Sequence, residues 1–238
     1  MMDYSSIFRS YEGKGIPYRG RCDEINRVIK VLLLNIPKGN DKLNNTLINE
    51  LSEFKFIHKI SINGNQCSIE YDEGTISFST VPNAYFSKFN KILFYDKKSG
   101  RYNLYRECHY ASIRYLKWFS KSNISAVTSL CVSVDNLLFF HSYIWDKDTN
   151  NIIDLSKNII MNKNDYDRLF CYKEINVLDY NQYKSYIAST NYFSEKNKYY
   201  QLLYLALVTL SLEESKKTLQ EENLSVLQKV KKKVLEIV

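Results

Sequence analysis

Residues 127–154, VTSLCVSVDNLLFFHSYIWDKDTNNIID, contain the pattern that decides the fold. Apolar, β-branched and aromatic residues dominate 127–134 and 137–145, and the Asp135-Asn136 pair between them is typical of a turn. The polar stretch that follows predicts a second turn, after which Ile152-Ile153-Asp154 starts another strand. The sequence therefore predicts three successive strands that pair in an antiparallel arrangement.

A helix is predicted directly before these strands, after a polar turn at 97–100. The residues that recur at helical spacing and share one face are Cys108, Ala111, Tyr115, Leu116 and Phe119. Cys108 opens this helix, where the positive end of the helix dipole favours the thiolate form of a cysteine. The centre of the chain is thus expected to be a helix packed on an antiparallel sheet.

The segments on either side of this centre predict further helices and short strands. Upstream, helical patterns over 25–33 and 43–54 precede a hairpin that turns at Asn63-Gly64, and Thr75–Ser79 adds a third strand to this meander. The elements predicted downstream are a short helix at 164–169, a short strand at 177–180 and helical segments at 200–210 and 227–237.

The chain is expected to form a single α+β domain, because no internal repeat and no long linker interrupts its 238 residues. We divide it into an N-terminal helical and β-meander region (1–96), a central core (97–185) and C-terminal helices (186–238). A hydrophobic content of 45% argues against a disordered chain.

The charge pattern gives no specific signal for nucleic acid. The net charge of +7 is spread along the chain, whereas nucleic-acid-binding proteins usually concentrate basic residues on one face or tail. The densest basic run is Lys229, Lys231, Lys232 and Lys233. We interpret this run as a solvated helix face, with binding to an acidic partner or a membrane surface as the alternative.

Cysteine spacing and the apolar segments indicate a reduced cytoplasmic protein. Five cysteines occur without a C-x-x-C pair, so neither a zinc cage nor a thioredoxin-like redox motif is expected. Residues 1–20 lack the apolar centre of a secretory signal, and the most apolar segment, 202–212, is too short for a transmembrane helix.

Cys108, His141 and Asp154 form the candidate catalytic set. A thiol, an imidazole and a carboxylate can act as nucleophile, general base and the group that orients the base. The chain has only three histidines, so His141 has few competitors. Cys22 is the alternative nucleophile because it also precedes a predicted helix. The remaining cysteines, which are interpreted as packing residues, are Cys67, Cys131 and Cys171.

Three motifs give residues 101–154 a resemblance to a known family: Glu107-Cys108-His109-Tyr110-Ala111, His141-Ser142-Tyr143-Ile144-Trp145 and Ile153-Asp154-Leu155-Ser156. Their order resembles the catalytic core of the transglutaminase-like branch of papain-like cysteine enzymes. Arg106 stands where that family has a small residue, and Tyr143 stands where it has Trp. The resemblance implies a papain-like fold in which the helix bearing the nucleophile packs on an antiparallel sheet.

The function that the resemblance implies is cysteine-dependent acyl transfer. Cys108 would attack an amide carbonyl, His141 would take and return the proton, and Asp154 would orient His141. The backbone N–H of Cys108 and the Asn103 side chain are candidate donors to the oxyanion, and the candidate substrate contacts are His109, Asn103 and Tyr143.

Hydrolysis of a protein or peptide substrate, by a peptidase or amidase, is favoured over transfer to an amine because the sequence shows no recognisable binding site for an amine. Neither a metal nor an organic cofactor is implied. The alternative is a catalytically silent papain-like protein that binds a protein or nucleic acid through its Tyr-rich, mildly basic surface. Oligomeric state does not follow from the sequence.

Overall fold

The computed structural model describes residues 4–35, 41–86, 95–96, 101–102, 107–119, 123–189 and 201–235, and within them the chain is an α+β structure. The helices are α1 (Tyr4–Tyr11), α2 (Arg21–Asn35), α3 (Asp41–Ser52), α4 (Asn83–Phe86), α5 (Cys108–Phe119), α6 (Lys163–Phe170), α7 (Tyr180–Ser189) and α8 (Gln201–Leu235). The strands are β1 (Ile57–Asn63), β2 (Gln66–Tyr71), β3 (Gly74–Ser79), β4 (Tyr95–Asp96), β5 (Arg101–Tyr102), β6 (Ile124–Val132), β7 (Leu138–Asp146), β8 (Asn151–Asp154), β9 (Ile159–Asn162) and β10 (Cys171–Asp179).

One antiparallel sheet joins the N-terminal meander to the central strands in the order β1-β2-β3-β9-β8-β7-β6-β10. The two halves meet where β3 pairs with β9, through Phe78 opposite Met161 and Ser79 opposite Ile160. β10 then returns to the outer edge of β6, and the connection from β9 to β10 passes through α6. The predicted meander is therefore part of the same sheet as the predicted catalytic strands.

Helices cover both faces of this sheet. On one face, α2, α3 and α6 enclose what we call the α6-side core, which includes Ile29, Ile69, Val127, Tyr143, Ile152 and Tyr166. On the other face, α5, α7 and α8 enclose the α5-side core, which includes Leu116, Ala126, Ile144, Ile153, Tyr183 and Leu202. On this second face, α1 and α8 also cover Leu130 and Phe140.

All nine residues of β6 are buried because both of its faces are covered. Two of its polar residues are paired across the sheet with β7: Thr128 Oγ1 lies 2.7 Å from Ser142 Oγ, and Ser129 Oγ lies 2.9 Å from the Tyr143 hydroxyl oxygen. Such pairing avoids the cost of burying a hydroxyl without a partner. The same strand pair positions the candidate site.

Several sequence predictions are confirmed and others change. The first hairpin is present, although its central residues are Gly64-Asn65, because Asn63 pairs directly with Gln66. β9 was missed, and the short strand predicted at 177–180 is the last part of the longer β10, with Tyr180 already in α7. The two helical segments predicted near the C-terminus form one helix, α8, whose backbone includes the basic run at 229–233. The turn predicted at 97–100 lies outside the described residues.

No helix within the described parts of the chain combines the length and the apolar character needed to cross a membrane.

Gly64 tests the hairpin geometry. Its φ of +60° at the first central position of a two-residue turn suits glycine, whereas a side chain there is strained. We expect Gly64→Ala to lower the free energy of unfolding by about 1 kcal/mol, measured by urea denaturation followed by circular dichroism. Gly15→Ala is the matched control, because Gly15 lacks a positive φ and an added Cβ meets no atom within 4 Å. Equal losses in the two variants would contradict the assignment.

Candidate active site

Cys108 is the first residue of α5, and its side chain is 7% exposed. The helix is held in place by Ala111, Tyr115 and Leu116, which are buried in the α5-side core. Since the first N–H groups of a helix lack intrahelical partners, the thiol lies at the positive end of the helix dipole. Packing of the body of α5 thus fixes the position of Cys108, and the N-terminal end of the same helix favours its thiolate.

His141 and Asp154 form a buried hydrogen-bonded pair. Nε2 of His141, on β7, lies 2.7 Å from Oδ2 of Asp154, at the end of β8. Because an ionised carboxylate only accepts hydrogen bonds, Nε2–H is the donor and Nδ1 is left to face another group. In the β7–β8 register, Ile144 is opposite Ile153, so Asp154 is one diagonal step away from His141. The expected adjacency of these residues on neighbouring strands is present.

The Asp154 carboxylate is completely buried and hydrogen-bonded on both oxygens. Oδ1 accepts from the backbone N–H and the hydroxyl of Ser156 and from the backbone N–H of Lys157, each at 3.0 Å. Besides His141, Oδ2 accepts from the Lys157 ammonium at 3.1 Å and from the Tyr166 hydroxyl at 2.7 Å. The carboxylate is therefore fixed in orientation, and so is the imidazole bound to it.

His141 lies on the opposite side of the sheet from the body of the helix that carries Cys108. His141 shares its face with Phe139 and Tyr143, on the α6 side, whereas the body of α5 packs on the opposite face. β7 pairs with β8 only over Ile144–Asp146, so the β7 edge next to His141 is not covered by β8. We infer that the N-terminal end of α5 reaches His141 along this edge.

Electrostatics link Cys108 to two imidazoles. Burial of the thiol raises its pKa, but the charges of His109 and His141 and hydrogen bonding to both rings lower it by more. The pKa of Cys108 is therefore held well below its ordinary value. This shift favours the thiolate, which is the nucleophilic form of cysteine.

The pKa values of the other two groups move so that both are charged. Burial and, to a smaller extent, the Lys157 ammonium lower the pKa of His141, but the Asp154 carboxylate and Cys108 together raise it by more, and the net direction is upward. For Asp154, burial raises the pKa, while His141 and then Lys157 lower it to well below its usual range. The favoured protonation state therefore has Cys108 as a thiolate, His141 as an imidazolium and Asp154 as a carboxylate.

His109 is as buried as Cys108 and does not line an open surface. Its Nδ1 lies 2.7 Å from the Ser142 hydroxyl, which in turn contacts Thr128. Ser142 follows His141 on β7, so the two histidines lie on opposite sides of that strand. Glu12 lies close enough for the charges of Cys108 and His109 to act on its pKa, and its Oε2 accepts a hydrogen bond from the Phe140 N–H.

The other candidate substrate contacts have different outcomes. Tyr143 is fully buried, with its hydroxyl on Ser129 and its ring against Tyr166, so the structure gives it a packing position. Asn103, the candidate oxyanion donor, lies outside the described residues. The backbone N–H of Cys108 has no acceptor within its own helix, because Cys108 is the first helical residue, so it stays the candidate oxyanion donor.

The main causes that shift the pKa values of Cys67, Cys131 and Cys171 include no imidazole. Burial raises the pKa of Cys67 to about 12 and raises the pKa values of Cys131 and Cys171. The alternative nucleophile, Cys22, lies in the first turn of α2 and packs against the α6-side core. Cys108 is therefore the cysteine that the structure places with His141 and Asp154.

Sequence reasoning missed the groups that support this set. Lys157 and Tyr166 stabilise Asp154, while Ser142 and Thr128 hold His109. Only Lys157 is close to Asp154 in sequence, and a lysine three residues after an aspartate is too common to be a signal. Tyr166 comes from α6, which reaches the site only through the tertiary fold.

The described residues contain no group of three or more His, Cys, Asp or Glu side chains placed to hold a metal ion. A cleft of about 520 Å³ lies on the sheet, lined by neutral polar residues such as Ser61, Ser68 and Ser77 and by apolar residues such as Phe78 and Ile160. None of the three candidate catalytic residues lines this cleft. The cleft and the Cys108 site are separate features.

Comparison with known proteins supplies no relative: no family model matches the chain, nor does any curated protein or solved structure. The resemblance to transglutaminase-like enzymes accordingly stays a prediction from the order of the motifs.

Asp154 should be important for stability as well as orientation. Asp154→Ala leaves Lys157 and Tyr166 without their shared acceptor and His141 without its partner, and breaking a buried ion pair in this way costs about 3–5 kcal/mol. We expect the free energy of unfolding, from urea denaturation, to fall by this amount. Ser156→Ala removes one hydroxyl donor and should cost about 1 kcal/mol. An Asp154→Ala protein as stable as Ser156→Ala would contradict the described hydrogen-bond arrangement.

The pKa directions predict how alkylation of Cys108 depends on pH. The lowered pKa of Cys108 keeps its thiolate present below the free-thiol value of about 8.5, and the thiolate is lost as the pH falls through the shifted value. In His141→Ala one of the two imidazoles is gone, so the titration midpoint should move to higher pH. Iodoacetamide labelling with peptide mapping measures both curves, and superimposable curves would contradict the coupling.

Proposed function

We propose that this protein is a cysteine-dependent acyl-transfer enzyme, with Cys108 as nucleophile, His141 as general base and acid, and Asp154 as the group that orients His141. The observation that carries the proposal is the 2.7 Å His141–Asp154 hydrogen bond beside a helix-N-terminal thiol of lowered pKa. A structural cysteine needs none of these features, whereas each of them is a recognised means of activating a thiol or of orienting its base.

The proposed reaction begins with attack of the Cys108 thiolate on an amide carbonyl, which forms a C–S bond and a tetrahedral oxyanion. His141 donates its proton to the leaving nitrogen as the C–N bond breaks, and a thioester remains on Cys108. Neutral His141 then takes a proton from water, whose oxygen attacks the thioester. The C–S bond breaks, the carboxylic acid leaves and the sulfur regains its electron pair.

We further propose that the core belongs to the transglutaminase-like branch of the papain-like enzymes. What supports this is the chain order: α5 with Cys108 at its start, then β6, then β7 with His141, then β8 with Asp154. Packing of α5 on an antiparallel sheet agrees with that architecture. We favour hydrolysis of a protein or peptide over transfer to an amine, because the sequence shows no recognisable binding site for an amine.

A second candidate is a catalytically silent papain-like protein that acts as a binding module. The observation that favours it is burial, since Cys108 is 7% exposed and His141 is 4% exposed. A nucleophile must reach a carbonyl carbon, and a buried thiol meets this requirement only if the substrate displaces its cover. Covalent trapping distinguishes the two candidates.

Trapping with p-nitrophenyl acetate tests the proposed function without knowledge of the natural substrate. We expect acetylation of Cys108, located by mass spectrometry of peptides, with nitrophenolate release continuing as the thioester turns over. His141→Ala should slow acylation by about 10²–10⁴-fold, the usual contribution of general acid–base catalysis.

Cys22→Ala is the matched control, because Cys22 also lies in the first turn of a helix but outside the site. This variant should react like the wild-type protein, and Cys108→Ser should lose the mapped thioester. A folded wild-type protein that acquires no acetyl group on Cys108, or acquires it equally fast in His141→Ala, would overturn the proposal in favour of the binding module.

A further inference from the structure

Buried hydrogen-bond partners fix the position of the His109 side chain, which a residue that only lines a pocket does not require. Its ring is buried in the first turn of α5, and its Nδ1 contacts the Ser142 hydroxyl at 2.7 Å. Ser142 is itself buried and lies 2.7 Å from the Thr128 hydroxyl on the neighbouring strand. Two strands of the sheet therefore anchor one edge of the ring, and Nε2 is the nitrogen left for another partner.

The two histidines of the site differ in the groups that bind them. His141 donates to a carboxylate that also raises its basicity, which suits a group that gains and loses a proton. His109 contacts a hydroxyl, which can either donate to Nδ1 or accept from it. When the hydroxyl donates, Nε2 carries the hydrogen and becomes a neutral N–H donor.

The charges around His109 come from three parts of the chain. Glu12, which follows α1, and Glu107 and Cys108, at the start of α5, interact with the charge of His109, whereas His141, on β7, interacts with Cys108. Burial raises the pKa values of both Glu12 and Glu107, so each carboxyl group is easier to keep neutral than a free one. The pKa of Cys108, in contrast, is lowered. Of these groups, the one favoured as an anion is therefore the Cys108 thiolate, which is next to His109 in the sequence.

We propose that His109 is a second catalytic histidine, which donates a hydrogen bond from Nε2 to the Cys108 sulfur while His141 carries the proton. This role rests on the proposed function of Cys108 and adds a division of labour to it. His109 stabilises the attacking thiolate, and it stabilises the same sulfur again when the C–S bond of the thioester breaks. It therefore acts in acylation and deacylation, and it gives up no proton in either step.

The test compares four variants by two measurements, the pH dependence of iodoacetamide alkylation at Cys108 and the hydrolysis rate of the Cys108 acetyl thioester. The variants are His109→Ala, His109→Gln, Ser142→Ala and Ser125→Ala. Ser125 is the matched control for Ser142, because it is also a buried serine on a central strand but its hydroxyl has no hydrogen-bond partner in the structure. Circular dichroism establishes that each variant is folded.

We expect His109→Ala to shift the alkylation midpoint to higher pH and to lower both the alkylation rate at pH 6 and the thioester hydrolysis rate by about tenfold or more, the usual value of a hydrogen bond to a charged group. His109→Gln should regain part of both rates, because its amide can donate near the position of Nε2. Ser142→Ala should show a smaller change in the same direction, and Ser125→Ala should match the wild-type protein.

Wild-type midpoints and hydrolysis rates in folded His109→Gln and Ser142→Ala would overturn this role, even if His109→Ala fails to fold. An equal shift in Ser142→Ala and Ser125→Ala would also overturn it, since it would show a general effect of core serines. Failure of the proposed function is a separate result, because in that case the wild-type Cys108 forms no thioester at all.

Discussion

Burial of the Asp154 carboxylate sets the strongest constraint on the centre of this molecule. Removing a carboxylate from water is costly unless hydrogen bonds and opposite charge replace its hydration. Here Ser156 and the Lys157 backbone satisfy one oxygen, while His141, the Lys157 ammonium and Tyr166 satisfy the other. The end of β8, the turn after it, a strand and a helix must all be in place together, so the position of His141 is determined by the tertiary fold.

Polar contacts cross the sheet at the candidate site and connect its two hydrophobic cores. On the α6 side, Asp154 accepts hydrogen bonds from both Tyr166 and His141. On the α5 side, the Ser142 hydroxyl contacts both Thr128 and His109. Cys108 interacts with both histidines, at the edge where β8 leaves β7. The partial pairing of β7 and β8 is thus more than an irregularity, because full pairing would close the edge along which we infer that the helix reaches His141.

Local patterns in the sequence predicted the elements that carry the site but not the way in which they meet. Runs of apolar, β-branched and aromatic residues between turn residues identify the central strands, and the order of Cys108, His141 and Asp154 suggests their partnership. β9 has only four residues, and β10 is half-buried along most of its length, so neither gives a strong pattern. The face on which His141 lies depends on how far β8 pairs with β7, and the contacts of Tyr166 depend on the path of α6. Both are long-range properties.

The other cysteines of the same chain show why the charge at Cys108 needs a specific cause. Cys67 and Cys131 are also buried and Cys171 is half-buried, and burial raises their pKa values, which is the ordinary behaviour of a packed thiol. Burial acts on Cys108 in the same direction, yet its pKa moves the opposite way because two imidazoles face it. A core that required only apolar packing at this position would be served by a neutral thiol, without a buried carboxylate, a lysine and two histidines around it. The stability cost of assembling those charges is the physical argument for regarding Cys108 as a reactive group.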